Sequence, residues 1–283
     1  MSQAFRLALI QNLVSPDKNE NLLRIGEKIA EAARKGAKIV MLPECFNSPF
    51  GNEYFPKYAE SLQDGPTVKQ LSNFAKQNDV YIIGGSMPEL LNGAIYNCCP
   101  LINRQGDLVG KYHKMHLFDV DFPNKLQFKE SDVITPGSQP VIFRTEFCKI
   151  GIGICYDVRF SELSYLYKEK DCKLLVYPSA FSKTTGPLHW ELLARSRAAE
   201  SQCYVAMCSP ARDDTCSYPA WGYSIVTNPL GRIECMAKES EEIIYADLNL
   251  KVVDDVRKEM PLLKHRRHDI YQTISCVPIK YCG

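Results

Sequence analysis

Residues 149–163 read KIGIGICYDVRFSEL, an apolar run with glycines at 151 and 153 that reaches Cys155 and then gives way, near Ser161, to the start of a helix. A strand that turns abruptly into a helix is the building unit of α/β folds. It is also a chemical device. At such an elbow the bend exposes its side chain, the following backbone N–H groups point at the reacting centre, and the nearby helix N-terminus favours a thiolate. The small glycines would let a substrate or a neighbouring backbone approach closely. Cys155 is thereby set apart from the other cysteines, although the reading as a small core hydrophobe stays open on these residues alone.

Similar apolar, β-branched-rich runs recur on both sides of the elbow: FRLALIQ (5–11), AKIVMLP (37–43), VYIIGGS (80–86), IYNCCPLIN (95–103), KLLVYP (173–178), CYVAMCS (203–209), GYSIVTN (222–228), GRIECMA (231–237) and EIIYADL (242–248). With KIGIGICY (149–156) they are the expected strands. Helical periodicity fills 21–35, 67–77, 161–170 and 188–202. Turn chemistry at 91–94, 103–107 and 228–231 marks hairpins, so the sheets should be mixed. Many strands are apolar throughout instead of alternating, which predicts an α/β fold with helices outside and a second sheet within. The chain of 283 residues is roughly twice the ~150 of a typical domain. No linker, charge block or repeat divides it, and it reads as one domain over 1–283 with a core at about 5–248. The tail, 249–283, is charged and amphipathic, suited to a solvated face or a subunit contact.

Composition excludes several classes. Hydrophobic residues at 45% and charged residues at 24% argue against disorder, collagen-like repeats and coiled coil. Lys plus Arg total 34 against 33 Asp plus Glu, and a net charge of +1 offers no field for nucleic acid or an anionic membrane. The 12 cysteines show no C-x-x-C pair and no zinc spacing, so neither a metal nor another cofactor is expected. The adjacent Cys98 and Cys99 fall on opposite faces of a strand, which disfavours a redox pair. The N-terminus lacks a secretion signal and no apolar run is long enough to span a membrane. The expected compartment is the reducing cytoplasm, with a mitochondrial share left open.

Two further places carry chemistry-bearing residues. Glu44 follows the strand AKIVMLP, where α/β sheets bind ligands and where desolvation would raise a carboxylate toward general-base work. Read alone, a solvated loop acid is the favoured reading. Lys114 lies in KYHKMHLFD (111–119), where it could hold an anion or an oxyanion. His113 and His116, three apart, would make a metal site only if another ligand converged, and there is no HExxH motif. A Cys on an elbow, a Glu after a strand and a Lys after another supply a nucleophile, a base and an oxyanion donor without a histidine.

PECFNSPFG (43–51), KYHKMHLFD (111–119), GIGICYDVRFSEL (151–163), YPSAF (177–181), TTGPLHWELLARSRA (184–198) and SPARDD (209–214) stand in an order that resembles the nitrilase superfamily of carbon–nitrogen hydrolases, most closely its omega-amidase branch. The resemblance runs from Phe5 to about Tyr271. It implies a four-layer αββα sandwich, assembled as a homodimer through helices and the C-terminal tail. It further implies a catalytic triad of Glu44, Lys114 and Cys155, with Glu130 of FKESDVITPG ordering the lysine and the substrate. The implied substrates are small amides, the monoamides of short dicarboxylates such as 2-oxoglutaramate and 2-oxosuccinamate, cleaved through a cysteine thioester.

A far carboxylate needs a cation or a cluster of donors, and Arg159 and Lys183 are the candidates by motif proximity. Phe50, Phe118, Tyr156 and Phe181 could wall the pocket. Phe50 stands where the branch usually has tyrosine, and Ser179 where it usually has glycine, so chain-length preference is the feature these departures touch. The competing expectations are an amidase for a carbamoylated amino acid or deaminated glutathione, and a non-catalytic interaction protein on the same scaffold.

Overall fold

Along the first strand, Leu7 and Leu9 enter a core shared with the far sheet, while Ala8 and Ile10, alternating with them, meet helices. That alternation sets up the layers. The computed structural model describes residues 4–124 and 126–283. Its strands are β1 (Ala4–Gln11), β2 (Ala37–Met41), β3 (Tyr81–Ile83), β4 (Met87–Leu91), β5 (Ala94–Ile102), β6 (Leu108–His113), β7 (Asp119–Phe122), β8 (Leu126–Lys129), β9 (Val141–Arg144), β10 (Lys149–Ile152), β11 (Cys172–Pro178), β12 (Tyr204–Cys208), β13 (Ile225–Thr227), β14 (Ile233–Met236), β15 (Glu242–Asn249) and β16 (Lys280–Cys282). Its helices are α1 (Lys18–Arg34), α2 (Phe55–Tyr58), α3 (Pro66–Asn78), α4 (Ser161–Glu169), α5 (Gly186–Ser201), α6 (Leu250–Glu259) and α7 (Leu262–His265).

One sheet runs β15-β1-β2-β3-β5-β4 with β6 on the other side of β5, and the second runs β14-β13-β12-β11-β10-β9-β16. Each is mixed. β1, β2 and β3 are parallel, as are β10, β11 and β12, and the hairpin strands flank them antiparallel. Leu22, Ile25 and Ile29 of α1 and Leu71 of α3 cover the first sheet; Leu163 and Tyr167 of α4 and Trp190 and Ala194 of α5 cover the second. The result is the αββα sandwich, with one apolar core between the sheets.

The three hairpins fall where turn chemistry put them. Asn92 and Gly93, at φ +52° and +82°, join β4 to β5 through the paired Leu91 and Ala94. Asp17 caps α1 by accepting from the amides of Asn19 (2.8 Å) and Glu20 (3.2 Å). The elbow strand is shorter than expected. β10 ends at Ile152, the Gly153 amide reaches Val176 O at 3.0 Å, and a 3-10 turn occupies Cys155–Arg159. Its glycines serve the core. A Cβ on Gly151 would lie 2.5 Å from the Tyr167 ring and one on Gly153 2.6 Å from the Tyr177 ring, so aromatic side chains of the protein itself take the space expected for a ligand or backbone.

The tail begins and ends on its own chain. Leu250 and Val253 of α6 join the core, and β16 pairs in parallel with β9, burying Cys282 against Gly110. Between them Ile270, Tyr271 and Ile274 are exposed. All 12 cysteines are free thiols, most of them buried, and Cys98 and Cys99 enter different clusters. Among the described residues no helix is long and apolar enough to cross a membrane.

Candidate active site

The ends of β2, β6 and β10 converge where the two sheets meet. After β2 the chain is pinned to the loop after β3: the Ser86 amide donates to Pro43 O (3.0 Å) and the Cys45 amide to Ser86 Oγ (3.1 Å). Gly85, at φ +59°, is required here, because a Cβ would meet Pro43 O at 2.2 Å. This fastening delivers Glu44 inward. Lys114 follows β6 and is held through its own backbone, its amide donating to Asn97 O at 2.9 Å and its carbonyl accepting from the Gly137 amide at 2.7 Å.

Glu44, Lys114 and Glu130 have no accessible surface, and Cys155 is 5% exposed. Lys114 Nζ lies 2.9 Å from Glu44 Oε1 and 2.9 Å from Glu130 Oε2. Asn97 Nδ2, from the middle of β5, donates to Glu44 Oε1 (2.9 Å) and Glu130 Oε1 (3.2 Å), and the Phe118 amide donates to Glu130 Oε2 (2.8 Å). Glu44 Oε2 is buried without a donor. Cys155 lies against Glu44 and Lys114. Burial, then the Glu44 charge, pushes its thiol well above the ordinary range, with Lys114 opposing. Burial also raises Glu44, against the pull of Lys114. Burial works against the Lys114 ammonium, yet Glu130 and Glu44 together hold it well above the usual lysine range.

The Cys155 backbone is held in the left-handed region, at φ +46°. Asp157 holds it there. Its buried carboxylate accepts from the Ile154 amide (2.8 Å), the His116 amide (3.0 Å), His116 Nδ1 (2.7 Å) and the Tyr112 hydroxyl (2.7 Å). The two histidines of KYHKMHLFD therefore diverge. His113 joins Glu89 through Nε2 at 2.5 Å; Lys111 takes that carboxylate's other oxygen at 2.5 Å. Glu89, Cys98 and His113 have potential ligand atoms within 4.8 Å of one another, but both Glu89 oxygens are occupied by these partners.

A narrow, nearly filled cavity of about 10 Å³ lies beside Cys155 and Lys114, walled by Phe50, Phe118, Tyr156, Phe181 and Tyr218. Arg159 is its charged feature besides Lys114. The guanidinium lies 4.9 Å from the Phe181 ring centroid and 5.5 Å from that of Tyr156, and no carboxylate pairs with it among the described residues. Nη1 meets His189 Nδ1 at 3.1 Å and Nε is buried without a partner. Burial, then the Arg159 charge, lowers the His189 pKa, which leaves a neutral imidazole to accept from the guanidinium.

The chain matches the carbon-nitrogen hydrolase family over residues 6–258. It belongs to that family. Omega-amidase NIT2 of Xenopus tropicalis is 51% identical over 267 residues, 94% of this chain and 96% of its own length, and that of Homo sapiens is 50% identical over 268 residues, covering 95% and 97%. Among solved structures, Nit3 of Saccharomyces cerevisiae, a member of branch 10 of the nitrilase superfamily, superposes with a TM-score of 0.87 at 43% identity, covering 94% of this chain and 98% of that one.

In this carbon-nitrogen hydrolase the four residues Glu44, Lys114, Glu130 and Cys155 come together from distant parts of the sequence. Phe50, Phe118, Tyr156, Arg159 and Phe181 all face the cavity beside them. Lys183 does not; it takes the outer position of the turn whose Ser182 and Thr185 are buried, and it is exposed and paired with Asp214 at 2.8 Å. Ser179 is buried with its hydroxyl on Tyr177 O. Asn97, Asp157 and Tyr218 were not expected. For Asn97 the signal was present: a lone amide inside the apolar run IYNCCPLIN has to be satisfied by something buried. Asp157→Ala leaves the donors of Ile154, His116 and Tyr112 unpaired. Loss of at least about 2 kcal/mol of stability is expected, read as a lowered midpoint in chemical denaturation; an unchanged midpoint would show that Asp157 does not hold the turn.

Proposed function

We propose that this carbon-nitrogen hydrolase is an omega-amidase that hydrolyses the terminal amide of short dicarboxylate monoamides, 2-oxoglutaramate and 2-oxosuccinamate among them, to the dicarboxylate and ammonia. The observation that carries the reading is Arg159. A half-buried guanidinium without a carboxylate partner, facing Cys155 across a small aromatic cavity, is suited to a substrate that brings its own carboxylate. The identity of about 50% with omega-amidases along nearly the whole chain supports the same activity.

The chemistry follows from the charges. Glu44 Oε2, free of donors, takes the proton of the Cys155 thiol as the sulfur attacks the amide carbon. Lys114 Nζ and the backbone N–H of Tyr156 receive the developing oxyanion. Protonated Glu44 then passes its proton to the departing nitrogen, the C–N bond breaks, and ammonia leaves a thioester on Cys155. Water loses a proton to Glu44 and attacks the thioester, the C–S bond breaks, and the sulfur regains the proton. Glu130, through Lys114 Nζ and the Phe118 amide, keeps the ammonium aimed at the carbonyl oxygen and away from solvent. No metal or cofactor enters these steps.

Two copies of the chain associate in the same reading. Leu188 and Leu192, one turn apart on α5, are 64% and 60% exposed, and Ile270 and Ile274 of the tail are similarly bare. Leu188→Glu combined with Leu192→Glu should yield monomers in analytical ultracentrifugation where the parent protein is dimeric; an unchanged mass would remove α5 from the interface. For the substrate, Arg159→Leu should raise KM for a carboxylate-bearing monoamide by about 100-fold, the scale of a lost charge-assisted pair, and leave hydrolysis of a neutral amide such as butyramide little changed. Equal loss on both amides in an ammonia-release assay would contradict the role given to Arg159.

A further inference from the structure

Two cavities meet at a pair of aromatic rings. The inner one holds Lys114, Cys155 and Arg159, while an outer cleft of about 320 Å³, open to solvent, is bordered by Glu44, Tyr54, Asp213 and Cys216. Phe50, Ala180 and Tyr218 border both. Tyr218 stands against Phe50 with ring centroids 4.5 Å apart, and its hydroxyl donates to Ala180 O at 2.9 Å. Phe128 backs the pair, 5.4 Å from Phe50 and 6.2 Å from Tyr218. A ring contact and a hydrogen bond thus fix a wall between the two spaces. Glu44 borders the outer cleft and still has no accessible surface.

In the mechanism proposed above, Glu44 hands a proton to the departing nitrogen while the acyl chain runs toward Arg159. The nitrogen then faces the side on which the outer cleft lies. An NH2 group needs only a hydrogen-bonding neighbour there. An alkyl substituent on the same nitrogen would run into the rings of Phe50 and Tyr218. We propose that the Phe50–Tyr218 pair is the specificity-determining wall that confines the enzyme to amides with an unsubstituted nitrogen, and that the outer cleft becomes a subsite for an N-alkyl group once that wall is opened. The inference rests on the placement of the nitrogen beside Glu44. It also takes the acyl chain to lie in the inner cavity, but it does not require that chain to carry a carboxylate.

The test compares kcat/KM, followed as released acid, for succinamate and N-propylsuccinamate, and for the neutral pair butyramide and N-propylbutyramide. The parent enzyme should favour the primary amide in both pairs. Tyr218→Ala should narrow the preference by about tenfold or more in both, the scale on which a pocket discriminates one or a few methylenes. Tyr218→Phe keeps the ring and should keep the preference. Phe50→Ala removes the other ring and should narrow it as Tyr218→Ala does, which preserves the test if Tyr218→Ala does not fold. A folded Phe50→Ala or Tyr218→Ala enzyme with the parent ratio overturns the wall, as does a Tyr218→Phe enzyme that narrows the ratio equally. Narrowing in the neutral pair, in an enzyme that shows no preference for the carboxylate-bearing amides, would uphold the wall and count against Arg159 alone.

Discussion

The Lys114 ammonium has no accessible surface, and the rest of the site is arranged around that fact. Removing an ion from water costs several kcal/mol unless counter-charges and hydrogen bonds surround it. Glu44 and Glu130 supply the charges at 2.9 Å each, and Asn97 bridges both carboxylates. None of the three can be placed alone. The end of β2, the end of β6 and the turn after β8 must arrive together on one sheet and the β7-β8 ribbon, and Cys155, after β10, meets them only when the second sheet packs against the first. Fold and site are in this sense one structure.

The same cluster governs the nucleophile. Two carboxylates around one ammonium leave an excess of negative charge beside Cys155, so a thiolate is opposed by both burial and Coulomb repulsion. A cysteine paired with a cationic imidazole rests as a thiolate. In the mechanism proposed here the sulfur is a resting thiol whose proton passes to the free oxygen of Glu44 only as the new bond forms. Further from the sulfur the environment changes from oxygens to rings, and Arg159 lies among them over Phe181 and Tyr156. The cavity therefore divides into a reacting end rich in carboxylate and an anchoring end that is cationic and aromatic.

Much of this was legible in the chain before any coordinates. The hairpin turns, the helices and the central strands follow from periodicity and turn chemistry, and the elbow at Cys155 follows from the change of pattern at residue 155. The unexpected strands have physical excuses. β4 carries Pro88 and Glu89, β7 and β8 are four residues each and pair only with one another, β9 is four residues long, and β16 acquires its partner only when the tail returns to β9. The bonds of Glu130 to Lys114 and Asn97 and three of the four bonds of Asp157 depend on residues far away in sequence. Lys183 shows the complementary error, since nearness to a motif does not fix direction, and a turn before α5 sends it into solvent. Tyr218 belongs to a loop without periodicity, and its place in a wall between two cavities exists only in three dimensions.

The central claim is that Cys155 is a neutral thiol until Glu44 receives its proton. The direct measurement is the ultraviolet thiolate absorbance of the parent enzyme minus that of Cys155→Ala, titrated from about pH 5 to pH 9, across the unperturbed thiol pKa. The account predicts no thiolate attributable to Cys155 below the ordinary thiol range. A thiolate signal from Cys155 already present at about pH 6, as an ion-paired cysteine gives, would contradict it.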